Sequence, residues 1–155
     1  MIDQPLIKCL RDQFTLDWHG IHGASHWARV RANGLRLAET TGAKTHVVEL
    51  FSFLHDSKRL NDHHDPEHGH RAATFAETLI GTYFDLEPDD LMLLQAACRG
   101  HSDGHVTGDI TVLTCWDADR LDLGRVGIKP RADRLCTEAA REPALLEWAY
   151  LRSLR

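Results

Sequence analysis

The sequence predicts an all-α fold on three observations. Segments cut out by Gly, Pro, Asn and Asp carry apolar residues at helical spacing, and no stretch sustains period-2 alternation. The 155 residues, 43% hydrophobic and 26% charged, have the size and balance of one compact domain, residues 1–155. A chain of this length removes about two thirds of its unfolded surface from water. It needs neither disulfides nor a structural metal to stay folded, so any metal it binds is functional.

The first helix is expected from about Pro5 to Trp18, followed by a Gly/His-rich link over 19–24. Ser25 is the expected N-cap of a second helix that ends near Gly42. A third, from about Ala43 to Arg59, carries Val47, Leu50, Phe51 and Leu54 as its apolar stripe. Asp65 followed by Pro66 signals the start of a fourth, reaching about Tyr83, because Asp caps free amides and Pro suits the first helical position. Pro88, with Asp89 and Asp90 in the first turn, opens a fifth that ends near Gly100. After the Gly104 to Gly108 loop a sixth spans about Ile110 to Leu123, and residues 130–155 read as one or two short helices.

Eighteen Lys and Arg against 23 Asp and Glu give a net charge of −5 with no clustered basic face, which excludes a nucleic-acid polymer as partner. No apolar run approaches membrane-spanning length, and residues 1–10 lack the pattern of a secretory signal, so a cytoplasmic protein with no membrane partner is expected. Cys9, Cys98, Cys115 and Cys136 are scattered, form no Cys-x-x-Cys pair, and read as small buried apolar residues in a reducing compartment. Trp148, Tyr150 and Leu151 suit packing on the core or on a second copy equally, which leaves a monomer or a homodimer.

The anomaly is 11 histidines. Helical phase sorts them. His26 shares a face with Val30 and Leu37, with Gly34 beside them permitting close approach of a neighbour; His55 follows Val48 and Phe51, with Asp56 next to it. Asp119 follows Val112, Cys115 and Trp116, so a carboxylate lies on an apolar stripe. A buried, unpaired Asp is costly, and a divalent cation held by two His and two Asp removes that cost. For any one of these residues the plainer role is a surface pair or a helix cap. His68 is in phase with Ala72, Phe75 and Leu79, and His101 continues the stripe of Leu94, Ala97 and Cys98. His70 faces out, His63 and His64 lie in a polar loop, and His19 and His46 read as surface. His22, four residues before His26, reads either as a residue facing the same cleft or, the role favoured here, as a link residue bonded to solvent.

The succession His26 (in His-Trp-Ala-Arg-Val), His55-Asp56 and Asp119 (in Asp-Ala-Asp-Arg-Leu-Asp) resembles the HD-domain superfamily of metal-dependent phosphohydrolases, over about His22 to Lys129. The resemblance implies a compact HD-type helical bundle whose metal ligands are His26, His55, Asp56 and Asp119. It favours Asp119, the Asp after Ala, over Asp117 and Asp122; phase alone leaves Asp117 open. The implied cofactor is a divalent ion (Mn, Mg, Fe, Ni, Co or Zn), and His68 and His101 either hold a second one or line a mononuclear site, the reading favoured here.

The implied activity is hydrolysis of a small phosphate ester or anhydride, with a nucleotide the best match by resemblance and a metal-activated water as nucleophile. Asp56, Asp119 and His101 are the candidate catalytic residues, with Asp119 or His101 taking the proton. Arg59, His68, Arg71 and His105 are the candidate substrate-binding set. A guanidinium engages two phosphate oxygens at once. Arg59 and Arg71 are equally readable as surface pairs of Asp62 and Glu67. Two rival functions share these residues: a di-iron oxygenase of the HD type, and a metal- or nucleotide-binding regulatory module without turnover.

Overall fold

Helix signals begin at Asp3, whose side chain accepts from the Leu6 amide at 3.0 Å and caps α1, Gln4–Gln13. The computed structural model describes residues 2–155 and contains eight α-helices and no named strand among them. After α1 come α2 (Ala24–Thr41), α3 (Thr45–Leu54), α4 (His68–Leu79), α5 (Pro88–Gly100) and α6 (Ile110–Arg120). Two short 3-10 turns, Leu123–Val126 and Ala132–Arg134, lead to α7 (Glu138–Arg141) and α8 (Pro143–Ser153). No helix of the described residues is long and apolar enough to cross a membrane.

The longest helix, α2, packs on both α3 and α6, while α4 packs on α5. The predicted stripes make one core: Val30 and Leu37 from α2, Val47, Leu50, Phe51 and Leu54 from α3, Leu94 and Cys98 from α5, and Val112 and Cys115 from α6 are all buried, and Trp27 of α2 joins them. The close approach expected at Gly34 is present, since a Cβ there would run into the Val48 side chain on α3. Cys98 and Cys115 are buried as expected, but Cys9 and Cys136 are half-buried; all four are free thiols.

Several boundaries differ from expectation. The first helix stops at Gln13 rather than Trp18, because Phe14 turns extended and the Trp18 carbonyl accepts from the Ala24 amide at 2.8 Å, starting α2. The α2 N-cap is therefore Gly23, not Ser25. The third helix ends at Leu54 rather than Arg59: Ser57 returns both its amide and its hydroxyl to the Leu54 carbonyl and tightens the chain into a turn. Asp65 does not cap α4. Its carboxylate instead accepts from the Leu60 amide at 2.8 Å and from Arg71 at 2.7 and 2.6 Å, so the helix begins at His68. That helix ends at Leu79, not Tyr83, where Ile80 turns extended.

At the other end the agreement is closer. α5 has the expected bounds, and Asp109 caps α6 through a 2.7 Å bond from the Thr111 amide. Trp148 packs back on α2, its ring 4.2 Å from the Arg36 guanidinium, while Leu151 is exposed.

Candidate metal centre

Four imidazoles arrive at the centre from four helices, and each has its Nδ1 tied down. His26 Nδ1 lies 2.6 Å from Asp122 Oδ2, and His55 Nδ1 lies 3.1 Å from the carbonyls of both Phe51 and Ser52. His68 Nδ1 lies 2.5 Å from the Asp65 carbonyl, and His101 Nδ1 lies 2.7 Å from the Cys98 carbonyl. His55 and His101 sit at the last turns of α3 and α5 and reach back to carbonyls three or four residues earlier; His68 opens α4 and does the same. Carbonyls and carboxylates only accept, so Nδ1 carries the proton in every ring and Nε2 carries the lone pair.

Those Nε2 atoms converge in pairs, His26 with His55 at 3.1 Å and His68 with His101 at 2.8 Å. Two carboxylates close the arrangement. Asp119 Oδ1 lies 3.3 Å from His26 Nε2 and 3.6 Å from His55 Nε2. Asp56, 2% exposed, divides its oxygens: Oδ2 faces His26 and His55 at 3.5 and 3.6 Å, and Oδ1 faces His68 and His101 at 3.2 and 3.4 Å. A centre made of opposed lone pairs and carboxylate oxygens lacks positive charge, and a divalent cation supplies it. The donor atoms of His26, His55 and Asp119, and those of His55, Asp56 and His101, lie within 4.8 Å of one another, as ligands of one ion do. The residues therefore fit a metal.

The electrostatics agree. Burial pushes the Asp56 carboxyl up, but His55, His101, His22 and His68 around it hold it well below the usual carboxylate range. Burial likewise opposes ionisation of Asp119, and the His26 and His55 rings beside it reverse the effect, holding its carboxyl well below the usual range. For His26, burial and then Arg125 disfavour the charged ring, yet Asp119 and Asp122 outweigh both and raise its pKa.

A crystal structure of a predicted HD superfamily hydrolase from an uncultured Thermotogales bacterium superposes with a TM-score of 0.70 and 24% identity, covering 94% of this chain and 83% of that one. The chain has the HD-type helical fold. No family model and no curated protein matches it.

Within the HD-type fold the structure brings together His26, His55, Asp56, His68, His101 and Asp119. It also adds two residues the sequence reading set aside. His22 is not a solvent-bonded link residue: it is buried, with Nδ1 2.9 Å from Asp56 Oδ2 and Nε2 3.3 Å from the Asp62 carbonyl. Its spacing of one helical turn before His26 was the available signal. Asp122, fully buried, holds His26 and takes a 2.7 Å bond from Arg29 Nε. The buried Asp117 faces away, accepting from the amides of Cys136 and Thr137 and from the Thr137 hydroxyl at 2.7–2.8 Å, so it anchors the C-terminal segment. His46, read as surface, is half-exposed and bonds Asp90 at 2.6 Å.

A cavity of about 450 Å³ opens onto this centre, lined by His22, Asp56, Arg59, His101 and Asp119 among others. Asp119 is the more open carboxylate, its side chain 16% exposed against 3% for Asp56. Arg59 stands at the cavity wall, with Nε 3.2 Å from Asp56 Oδ1 and Nη1 bonded to the Asn61 and His63 carbonyls. His68 lies behind Asp56 rather than on the wall. Arg71 points elsewhere: Asp65 draws its guanidinium into a two-oxygen pair, and it lines a separate cavity with Lys58 and Phe75. His105 is exposed, its ring 4.0 Å from Asp103 and outside the cavity wall.

Proposed function

We propose that this protein is a metal-dependent phosphohydrolase acting on a small phosphate ester or anhydride, with a nucleotide as the favoured substrate. The observation that carries the reading is the opposition of Nε2 atoms at 3.1 and 2.8 Å, flanked by two carboxylates at the floor of an open cavity. His26, His55, Asp119 and Asp56 Oδ2 would hold one divalent ion. When bound, that ion supplies Lewis-acid polarisation of a phosphoryl oxygen and an acidified water. The solved neighbour, itself described as a predicted hydrolase, supports the same class.

The chain's own residues do the rest. Arg59 lines the cavity with Nε and Nη1 committed to fixed acceptors, so its guanidinium is held in place for a phosphoryl oxygen. Asp119, kept ionised at neutral pH by His26 and His55, is the carboxylate open to the cavity that accepts the proton of the attacking water. The packed rings beneath exclude water from the far side of the centre: Phe51 stacks on His55 at 4.8 Å.

A second reading of metal count rests on Asp56. Its Oδ1 faces His68 and His101 while its Oδ2 faces His26 and His55, so each imidazole pair with its Asp56 oxygen would hold one ion. Metal content per chain, followed by phosphate release from a nucleotide panel with Mn, Mg or Ni resupplied, tests both readings. One or two ions with phosphate or pyrophosphate release supports the hydrolase. Two irons with dioxygen uptake and no phosphate release moves the assignment to an oxygenase.

A further inference from the structure

The cavity wall has an asymmetry of charge that the metal centre does not use. In a chain of net charge −5, four arginines line this one cavity: Arg59, Arg120, Arg125 and Arg134. Arg59 faces Asp56 at 3.2 Å, and Arg125 lies 3.9 Å from Asp122. Arg120 and Arg134 differ, because among the described residues neither has a carboxylate within 4.0 Å.

Arg120 is nevertheless fixed. Its Nη1 donates to the Arg134 carbonyl at 3.0 Å, its Nη2 donates to the His105 carbonyl at 2.6 Å, and Cys136 Sγ lies 3.2 Å from Nη1. Neutral acceptors orient the guanidinium and leave its charge uncancelled. Arg134 has an exposed side chain with no hydrogen-bond partner, on the 3-10 turn Ala132–Arg134. That turn is not free to drift: Leu135 after it is buried, and Asp117 on α6 holds the amides of Cys136 and Thr137. Asp119 and Arg120 are the next residues of the same helix outward from Asp117 and Ala118, so Arg134 is tied to the helix that carries the metal-site carboxylate.

We infer that Arg120 and Arg134 form a second anion subsite in this cavity, and that the substrate carries a phosphate chain of two or more units rather than a single phosphate. The inference deepens the hydrolase reading and rests on it. A lone phosphate is met by the metal-site residues and Arg59. Two further uncompensated guanidiniums on the C-terminal wall are matched only by more negative charge on the same ligand. Leu123 and Val126 on that wall provide apolar surface for the organic part.

The test is calorimetric binding of inorganic phosphate, pyrophosphate and tripolyphosphate to the protein as purified, with metal content measured afterwards so that chelation is not mistaken for binding. Arg134→Ala and Arg120→Lys are compared with wild type, and Arg31→Ala, which breaks a surface pair with Glu49, is the control. Arg134→Ala is expected to weaken tripolyphosphate by about tenfold or more while phosphate changes by less than about twofold. Its unpartnered side chain makes a folding defect an unsuitable explanation, and thermal melts check this. Equal affinity of wild type for phosphate and tripolyphosphate, or equal losses for both in Arg134→Ala, overturns the subsite. If phosphate is then still released from monoesters, the hydrolase reading stands without it. Selective tripolyphosphate binding lost in Arg134→Ala, with no phosphate released from any ester or anhydride, supports the subsite and overturns hydrolysis instead.

Discussion

His26 Nδ1 and Asp122 Oδ2 meet at 2.6 Å across 96 residues of chain, and that bond decides which nitrogen of His26 faces the metal centre. Asp122 is fully buried and also receives Arg29, so the carboxylate is itself held in place. Replacing Asp122 by Asn removes the charge that fixes the tautomer. Metal affinity is expected to fall by about 10- to 100-fold, measured by titration against a competing chelator. Unchanged affinity would show that packing alone orients the ring.

Asp117 and Asp119 lie on one helix but serve different ends. Asp119→Ala should abolish metal binding. Asp117→Ala should leave the metal in place yet cost about 3 kcal/mol of unfolding free energy, because two amides and a hydroxyl lose their acceptor in a buried position. Urea unfolding alongside metal analysis separates the two, and loss of metal in Asp117→Ala with stability intact would refute the division.

Gly69 sets the spacing of α4 and α5. A Cβ there would run into the Cys98 carbonyl oxygen, which also receives His101 Nδ1 at 2.7 Å. Gly69→Ala is expected to destabilise by about 1–3 kcal/mol and to part His68 from His101. A drop in the metal-to-protein ratio or in affinity, read beside the melting temperature, checks the second effect.

Arg59 and Arg71 are expected to separate in kinetics. Arg59→Ala should raise KM for a phosphorylated substrate by about tenfold with little change in metal content. Arg71→Ala should leave KM unchanged, since Asp65 holds that guanidinium away from the cavity. A KM effect for Arg71 alone would reverse the assignment.

The metal-free protein should show a stability maximum on the acid side of neutrality. Asp56 and Asp119 have depressed pKa values in the folded state, so the unfolded chain binds more protons; their contribution is present above an unfolded value of about 3.9 and is lost as pH falls below it. His26 is raised, so its contribution is present below about 6.5 and is lost as pH rises through its folded value. Denaturation midpoints from pH 3 to 9 test both arms. Metal affinity should weaken toward acid pH, because protons compete at His26 Nε2.

Periodicity alone determined the helical class, the inward phase of His26, His55, His68, His101 and Asp119, and the close approach at Gly34, because these follow from repeat spacing along a single helix. Capping chemistry found Pro88 but misplaced Asp65, whose carboxylate is captured sideways by Arg71, and the Asp109 cap of α6 emerged only in the structure. Whether Asp117, Asp119 or Asp122 faces the centre was beyond periodicity, since all three lie on or just beyond α6 and all face protein. Tertiary structure sorted them by what stands opposite: Thr137 for Asp117, the imidazole pair for Asp119, His26 and Arg29 for Asp122. It likewise buried His22 against Asp56 and carried Arg134 to the cavity wall. Spacing along one helix fixes the direction a side chain takes from its own axis, whereas its partner is set by where a distant segment packs.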